Sequence, residues 1–191
     1  MMVNTLKEIR SHRSFSNKKI SMEELEKMID GTRFASSTRN AQKIRYVLIN
    51  EEELCRKIFN HIKFAGAISW NPTIEESPTA YILMCSEFPL NNFSENYLYF
   101  DMGTASHNIF LTAYELGYGG CIIGAYNRLE VEKLVELPEN YRSYILLALG
   151  EPKDKVIITE AINQNTTYFR DEENNHFVPK LPLEKISLLK K

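Results

Sequence analysis

"DMGTASHNIFLTAYELGYGGCIIGAYN", residues 101–127, is the stretch on which the reading of this chain turns. Met102, Ala105, Ile109, Ala113 and Leu116 recur at helical spacing on one face. The run from about Asp101 to Leu116 is rich in small residues and nearly free of charge, so it is expected to be a central, buried helix. Gly117 stands where a helix C-cap is wanted. Gly119, Gly120 and Gly124 then let a backbone approach something closely, either in a tight turn into an edge strand or against a ligand. The pattern is not GxGxxG and it follows a helix rather than opening one, which excludes a Rossmann-type dinucleotide site.

Around this stretch stand strands of one kind. Tyr46–Ile49, Ala80–Met84 and Tyr144–Leu149 are apolar on both faces, as in a sheet covered on both sides. Helices alternate with them. Ser21 and Glu24 form a capping-box pair, and Ile20 and Leu25 stand where a hydrophobic staple places its two residues. Leu54, Ile58 and Ile62 mark a second helix, and another is expected from Asn127 to about Glu136, with Glu130 placed for a box. Mixed helices and strands around a sandwiched sheet imply an α+β or α/β fold.

Bulk properties narrow the function. The chain has 191 residues, no internal repeat and no Gly/Ser linker, so a single domain over 1–191 is expected. With 43% apolar and 25% charged residues it has the composition of a globular protein, and a net charge of −2 gives no global basic field for nucleic acid. Cys55, Cys85 and Cys121 form no CxxC pair, which argues against a zinc site or a dithiol motif. Dispersed thiols, no signal-like N-terminus and no apolar run of membrane length suggest a cytoplasmic protein with no membrane span.

Three further segments carry possible chemistry. "RSHRSFS", residues 10–16, crowds two arginines, a histidine and serines near the end of a first short helix, as a solvated helix end or a phosphate site would. "ASSTRNAQ", residues 35–42, is a plain loop or a set of polar groups at an element junction. In "HFVPKLPLEKI", residues 176–186, Pro179 and Pro182 stiffen the backbone around Lys180.

Together and in this order these segments resemble the FMN-dependent nitroreductase-like oxidoreductases. The family's basic–Ser–x–basic–x–Phe opening is met by Arg10-Ser11-His12-Arg13-Ser14-Phe15. Its "APSxxNxQPW" loop is met by residues 35–42, with Ser36 for the proline. Its "GLGTCWIG" turn is similar to residues 117–124, its "LALGYP" strand end to Leu147–Pro152, and its basic strand before "PLEE" to Lys180–Glu184. The resemblance spans about residues 4–187.

The resemblance implies an α+β (α/β/α) fold with a central mixed, mostly antiparallel sheet covered by helices, forming a homodimer with exchanged C-terminal arms. It implies bound FMN, with NADH or NADPH as donor. Arg10, Ser11 and Arg13 would meet the phosphate and ribityl chain, with Lys180 as a further cation. Ser36, Ser37, Asn40 and Gln42 would belong to the flavin site, the first three reaching it from the partner subunit. Asn71 matches a family asparagine at the ribityl and pyrimidine side, and Ile122, Ile123 and Gly124 would present backbone near N5 and O4. Lys43-Ile44 replaces the family's Pro-Trp, and Ile74 stands where a basic side chain often lies near N1, leaving Lys43 or Arg45 as substitutes. Lys63, Arg39 and Lys43 are the cations conceivable at a 2′-phosphate of NADPH.

The activity so implied is hydride transfer from NAD(P)H to flavin, then two electrons to a nitroaromatic, quinone or similar small-molecule acceptor. No side chain is needed as nucleophile or obligatory acid, so none is assigned as catalytic, and no metal is expected. His107, in the buried helix, is expected to be a satisfied core histidine. His12 lies in the phosphate motif with a side chain that could point away. The alternatives are a flavin-binding protein without this chemistry, or a specialised sibling such as a reductive dehalogenase, for which residues 88–99 would be the lid.

Overall fold

The computed structural model describes every residue except 1, 65, 67, 69 and 190. A short helix α1 (Met2–Glu8) leads into an extended segment and then α2 (Met22–Asp30). Next come β1 (Arg45–Ile49), α3 (Glu52–Phe59), β2 (Ala80–Glu87) and the long α4 (Glu95–Glu115). They are followed by β3 (Gly119–Ile123), α5 (Arg128–Leu134) and β4 (Tyr141–Gly150). The chain closes with β5 (Val156–Glu160), β6 (Phe169–Arg170), β7 (His176–Lys180) and α6 (Leu183–Ile186).

The first four strands form one sheet in the order β1-β2-β4-β3, antiparallel throughout. Among the described strands a parallel pair occurs in a smaller sheet ordered β5-β7-β6, between β5 and β7. The covered sheet expected from the sequence is explained by alternation along β2. Ala80, Ile82 and Met84 face a core made with α2 and α4, while Tyr81, Leu83 and Cys85 face a second core made with α3 and α5. Both faces are thus dry, which is why the strand shows no polar side.

The capping box of α2 is present as expected: the Ser21 hydroxyl accepts from the Glu24 amide and the Glu24 carboxylate accepts from the Ser21 amide. Ile20 and Leu25 are both buried beside it. Asn127 caps α5, its side chain accepting from the Glu130 amide. Gly117 takes a φ of +82° directly after α4, so the expected helix stop is made in the left-handed region that glycine tolerates.

Four expectations are corrected. α4 begins six residues earlier than its apolar periodicity indicates, because Ser94 caps it by accepting from the Asn96 amide. Residues 88–99 therefore divide between a turn and the first turn of α4, with Tyr97 and Tyr99 half-exposed. Ile62 lies outside α3, which stops at Phe59; it instead bridges to Tyr126. The long helix is buried on only one face, through Leu98, Met102, Ala105, Ile109 and Ala113. His107 falls on the other face and is exposed, so it is not a core histidine.

Candidate functional site

Three distant segments converge on one cavity of about 370 Å³. Arg10, Ser11 and Arg13 come from the segment after α1, Gly120 and Ile122 from β3, and His176, Val178 and Lys180 from β7, with His107 and Phe110 of α4 closing one side. Local backbone pairing explains the convergence. Ser11 forms a parallel bridge with Gly120, and the His12 amide donates to the Gly120 carbonyl at 3.0 Å. A Cβ at residue 120 would run into the Ala148 carbonyl oxygen of the paired strand β4, so β3 needs glycine there; one residue earlier, a Cβ at Gly119 would meet the His12 ring. On β7 the two-residue period sends His176, Val178 and Lys180 into the cavity. Phe177 and Pro179 go to the other face, where Phe177 stacks on Phe169.

The cavity is rich in cations. Arg13 lies over the Tyr168 ring at 5.3 Å, and Lys180 makes no ion pair among the described residues. Arg10 is partly engaged already: its guanidinium donates to the Leu6 and Ile9 carbonyls and so closes the end of α1. His12 points away from the cavity, its Nδ1 standing 2.9 Å from Asp154.

Asp154, nearly fully buried, organises this segment. It also accepts from the Arg13 amide at 3.3 Å and from Arg170 at 3.2 Å. Arg170 in turn lies 3.7 Å over the ring of Trp70. Burial alone would raise the Asp154 carboxyl. The His12 hydrogen bond and charge, the Arg13 amide and Arg170 outweigh it and hold the group below the usual carboxylate range. His176 is only 1% exposed, stacks on Tyr168 at 5.2 Å, and has no hydrogen-bond partner on either ring nitrogen among the described residues. Burial first, then the neighbouring Arg13 and Arg170, push it down to about 4, so it is neutral at pH 7.

A second cavity, of about 150 Å³, takes Ser36, Ser37 and Gln42 together with Lys43, Arg45 and Asp101. Asp101 fixes the loop, its Oδ1 accepting from both the amide and the hydroxyl of Thr38 at 2.9 Å. Arg39, Asn40 and Gln42 all have positive φ there, at 55°, 53° and 47°. The two cavities lie on opposite sides of α4: Asp101 and Ala105 line one, His107 and Phe110 the other.

The sequence-derived residues therefore separate. Arg10, Ser11, Arg13, Ile122 and Lys180 share the first cavity; Ser36, Ser37 and Gln42 share the second. Asn40, Asn71, Ile123 and Gly124 line neither, Ile123 being a buried core residue and Asn71 exposed beside Trp70. Sequence reading missed Asp154, Arg170, Asp101 and the inward aim of His176. Strand parity with Lys180 was the one signal that could have found His176.

Comparison with known proteins gives the family and the fold. A model of the nitroreductase family matches residues 6–151. An FMN reductase [NAD(P)H] of Bacillus subtilis is 26% identical over 196 aligned positions, covering 90% of this chain and 76% of that protein. An NADPH-flavin oxidoreductase of Vibrio harveyi is 28% identical over 167, covering 79% and 67%. A nitroreductase family protein from Clostridium novyi superposes with a TM-score of 0.65 at 26% identity, covering 81% of this chain and 86% of that one. One from Streptococcus pneumoniae gives 0.72 at 16% identity over the whole of both chains, a likeness of fold.

Proposed function

The chain belongs to the nitroreductase family, and from that premise we propose how its residues serve an NAD(P)H-dependent flavin oxidoreductase. The carrying observation is the convergence of Arg10, Ser11, Arg13, Ile122 and Lys180 on one cavity from three separate segments. A phosphate monoester wants paired cations and neutral donors in a partly closed place, and this cavity offers both. The unpartnered nitrogens of buried His176 also fit a polar ligand there.

FMN supplies the chemistry when bound, taking a hydride from NAD(P)H and passing two electrons to a small-molecule acceptor such as a nitroaromatic or quinone. The chain's own part is to hold and orient. Arg13 and Lys180 bring charge to the phosphate, Ser11 adds a hydroxyl, and the Gly120–Gly124 backbone runs beside the ring. No side chain is assigned a proton-transfer or nucleophilic role.

The second cavity supports a dimer. Ser36, Ser37 and Gln42 are separated from the cation cavity by α4, so both sets meet one flavin only when a second copy supplies one of them. Phe34 and Phe100, at 80% and 70% exposure, lie among the apolar surface such a contact would cover. The proposed unit is thus a homodimer of single domains spanning 1–191, each subunit lending its 36–42 loop to the flavin held by its partner, with Asn71 at the ribityl and pyrimidine side. Among the described residues no helix is long and apolar enough to cross a membrane.

The experiment is steady-state oxidation of NADH and NADPH with menadione or a nitrofuran as acceptor. Turnover that depends on added or retained FMN supports the reading; a flavin-loaded protein that reduces neither acceptor with either donor contradicts it.

A further inference from the structure

Of the two histidines that line the cation cavity, His107 is exposed and His176 is buried. Its ring is 1% exposed and both nitrogens lack a partner among the described residues, a costly arrangement for a buried polar group. Two arginines and one carboxylate act on it. Arg13 and Arg170 act on it from the 10–16 segment and β6, Tyr168 stacks on its face, and Asp154 and His12 are already bonded to each other. Arg10 and Lys180 complete the charged lining of the cavity it enters. Strand parity fixes the aim, since Val178 and Lys180 on the same face of β7 line the same cavity.

A neutral imidazole held among cations suits an anion. It adds a directed N–H without adding charge, while the arginines supply the field. We infer that His176 is a ligand of the phosphate group, donating a ring N–H to a phosphate oxygen beside Arg13. This rests on reading the cavity as the FMN phosphate site. A phosphate so bound also gives a partner to a buried polar group that has none among the described residues.

The test compares FMN and riboflavin affinities of apoprotein by fluorescence titration, for wild type, His176→Phe, His176→Asn, His176→Gln and Arg13→Ala. His176→Phe keeps a ring against Tyr168 and removes both nitrogens. It is expected to weaken FMN about 10-fold or more and leave riboflavin within about twofold. One of the two amides, whichever places its NH2 at the serving nitrogen, recovers most of that loss. If His176→Phe weakens both flavins equally, or neither, the inference is overturned. Arg13→Ala tests the underlying site separately. If it leaves the preference for FMN over riboflavin intact, the phosphate assignment itself fails. If it abolishes that preference while His176→Phe preserves it, only the role of His176 fails.

Discussion

Asp154 carries three hydrogen bonds on one buried carboxylate, so its removal has effects that spread beyond one side chain. Asp154→Ala leaves Arg170 buried without its counter-charge and frees His12 and the Arg13 amide together. The expected cost is about 3–5 kcal/mol, read as a lowered urea midpoint. Arg13→Ala behaves differently: its fold contacts are a cation–π stack and one long bond to the Ser11 carbonyl, so the midpoint should hardly move. FMN affinity should fall roughly 10- to 150-fold while riboflavin affinity stays unchanged. A parallel loss for riboflavin would place Arg13 at the ring or in the scaffold instead.

The same cluster sets a pH dependence. His176 is pushed down to about 4 in the fold from an ordinary value of 6.5, so between these the unfolded chain binds the proton and the folded one does not. Stability of the apoprotein is therefore fully present above about pH 6.5 and falls as pH drops toward 4, by up to about 3 kcal/mol. Asp154, whose carboxyl is held low, adds a loss only further down, as pH falls through its lowered value. Equilibrium unfolding at pH 7, 6 and 5 should show this slope, and His176→Phe should flatten it; an equal slope in the variant contradicts the assignment.

At the scale of elements, local chemistry and tertiary packing differ in how openly they are written. The α2 capping box is a four-residue code, and Ser21→Ala should cost about 1 kcal/mol of stability by thermal melting. The doubly buried strands were legible because a sheet covered on both faces tolerates no polar alternation, as in β2 and β4. The cation cavity was half legible. Arg10, Ser11, Arg13 and Lys180 announce themselves by type, whereas Asp154 and Arg170 act through partners 142 and 16 residues away from Asp154, a separation no local pattern encodes. The small sheet escaped for a related reason: β6 has two residues, and β5 pairs in parallel with a strand twenty residues on. His107 was misread because α4 is apolar enough overall to suggest burial all round, while only one face meets the core. Gly120 is the reverse case, legible as a close approach but not as to what. Gly120→Ala drives a Cβ into the Ala148 carbonyl of the neighbouring strand, so it should destabilise by on the order of 3 kcal/mol, read as a lowered urea midpoint.

At the scale of the molecule, one chain presents two cavities on opposite sides of its longest helix, which we propose are the two halves of a site shared between copies. A dimer is accordingly expected in sedimentation velocity at micromolar concentration, with an interface above roughly 2,000 Å². An FMN-saturated monomer under those conditions would remove the shared site. The claim beneath all the others is that the cavity of Arg10, Arg13 and Lys180 holds a flavin, and the visible spectrum of the purified protein tests it most directly. The protein reconstituted with excess FMN and freed of unbound cofactor should be yellow, with a band near ~450 nm and about one FMN per chain. A folded protein that stays colourless after that treatment contradicts the account.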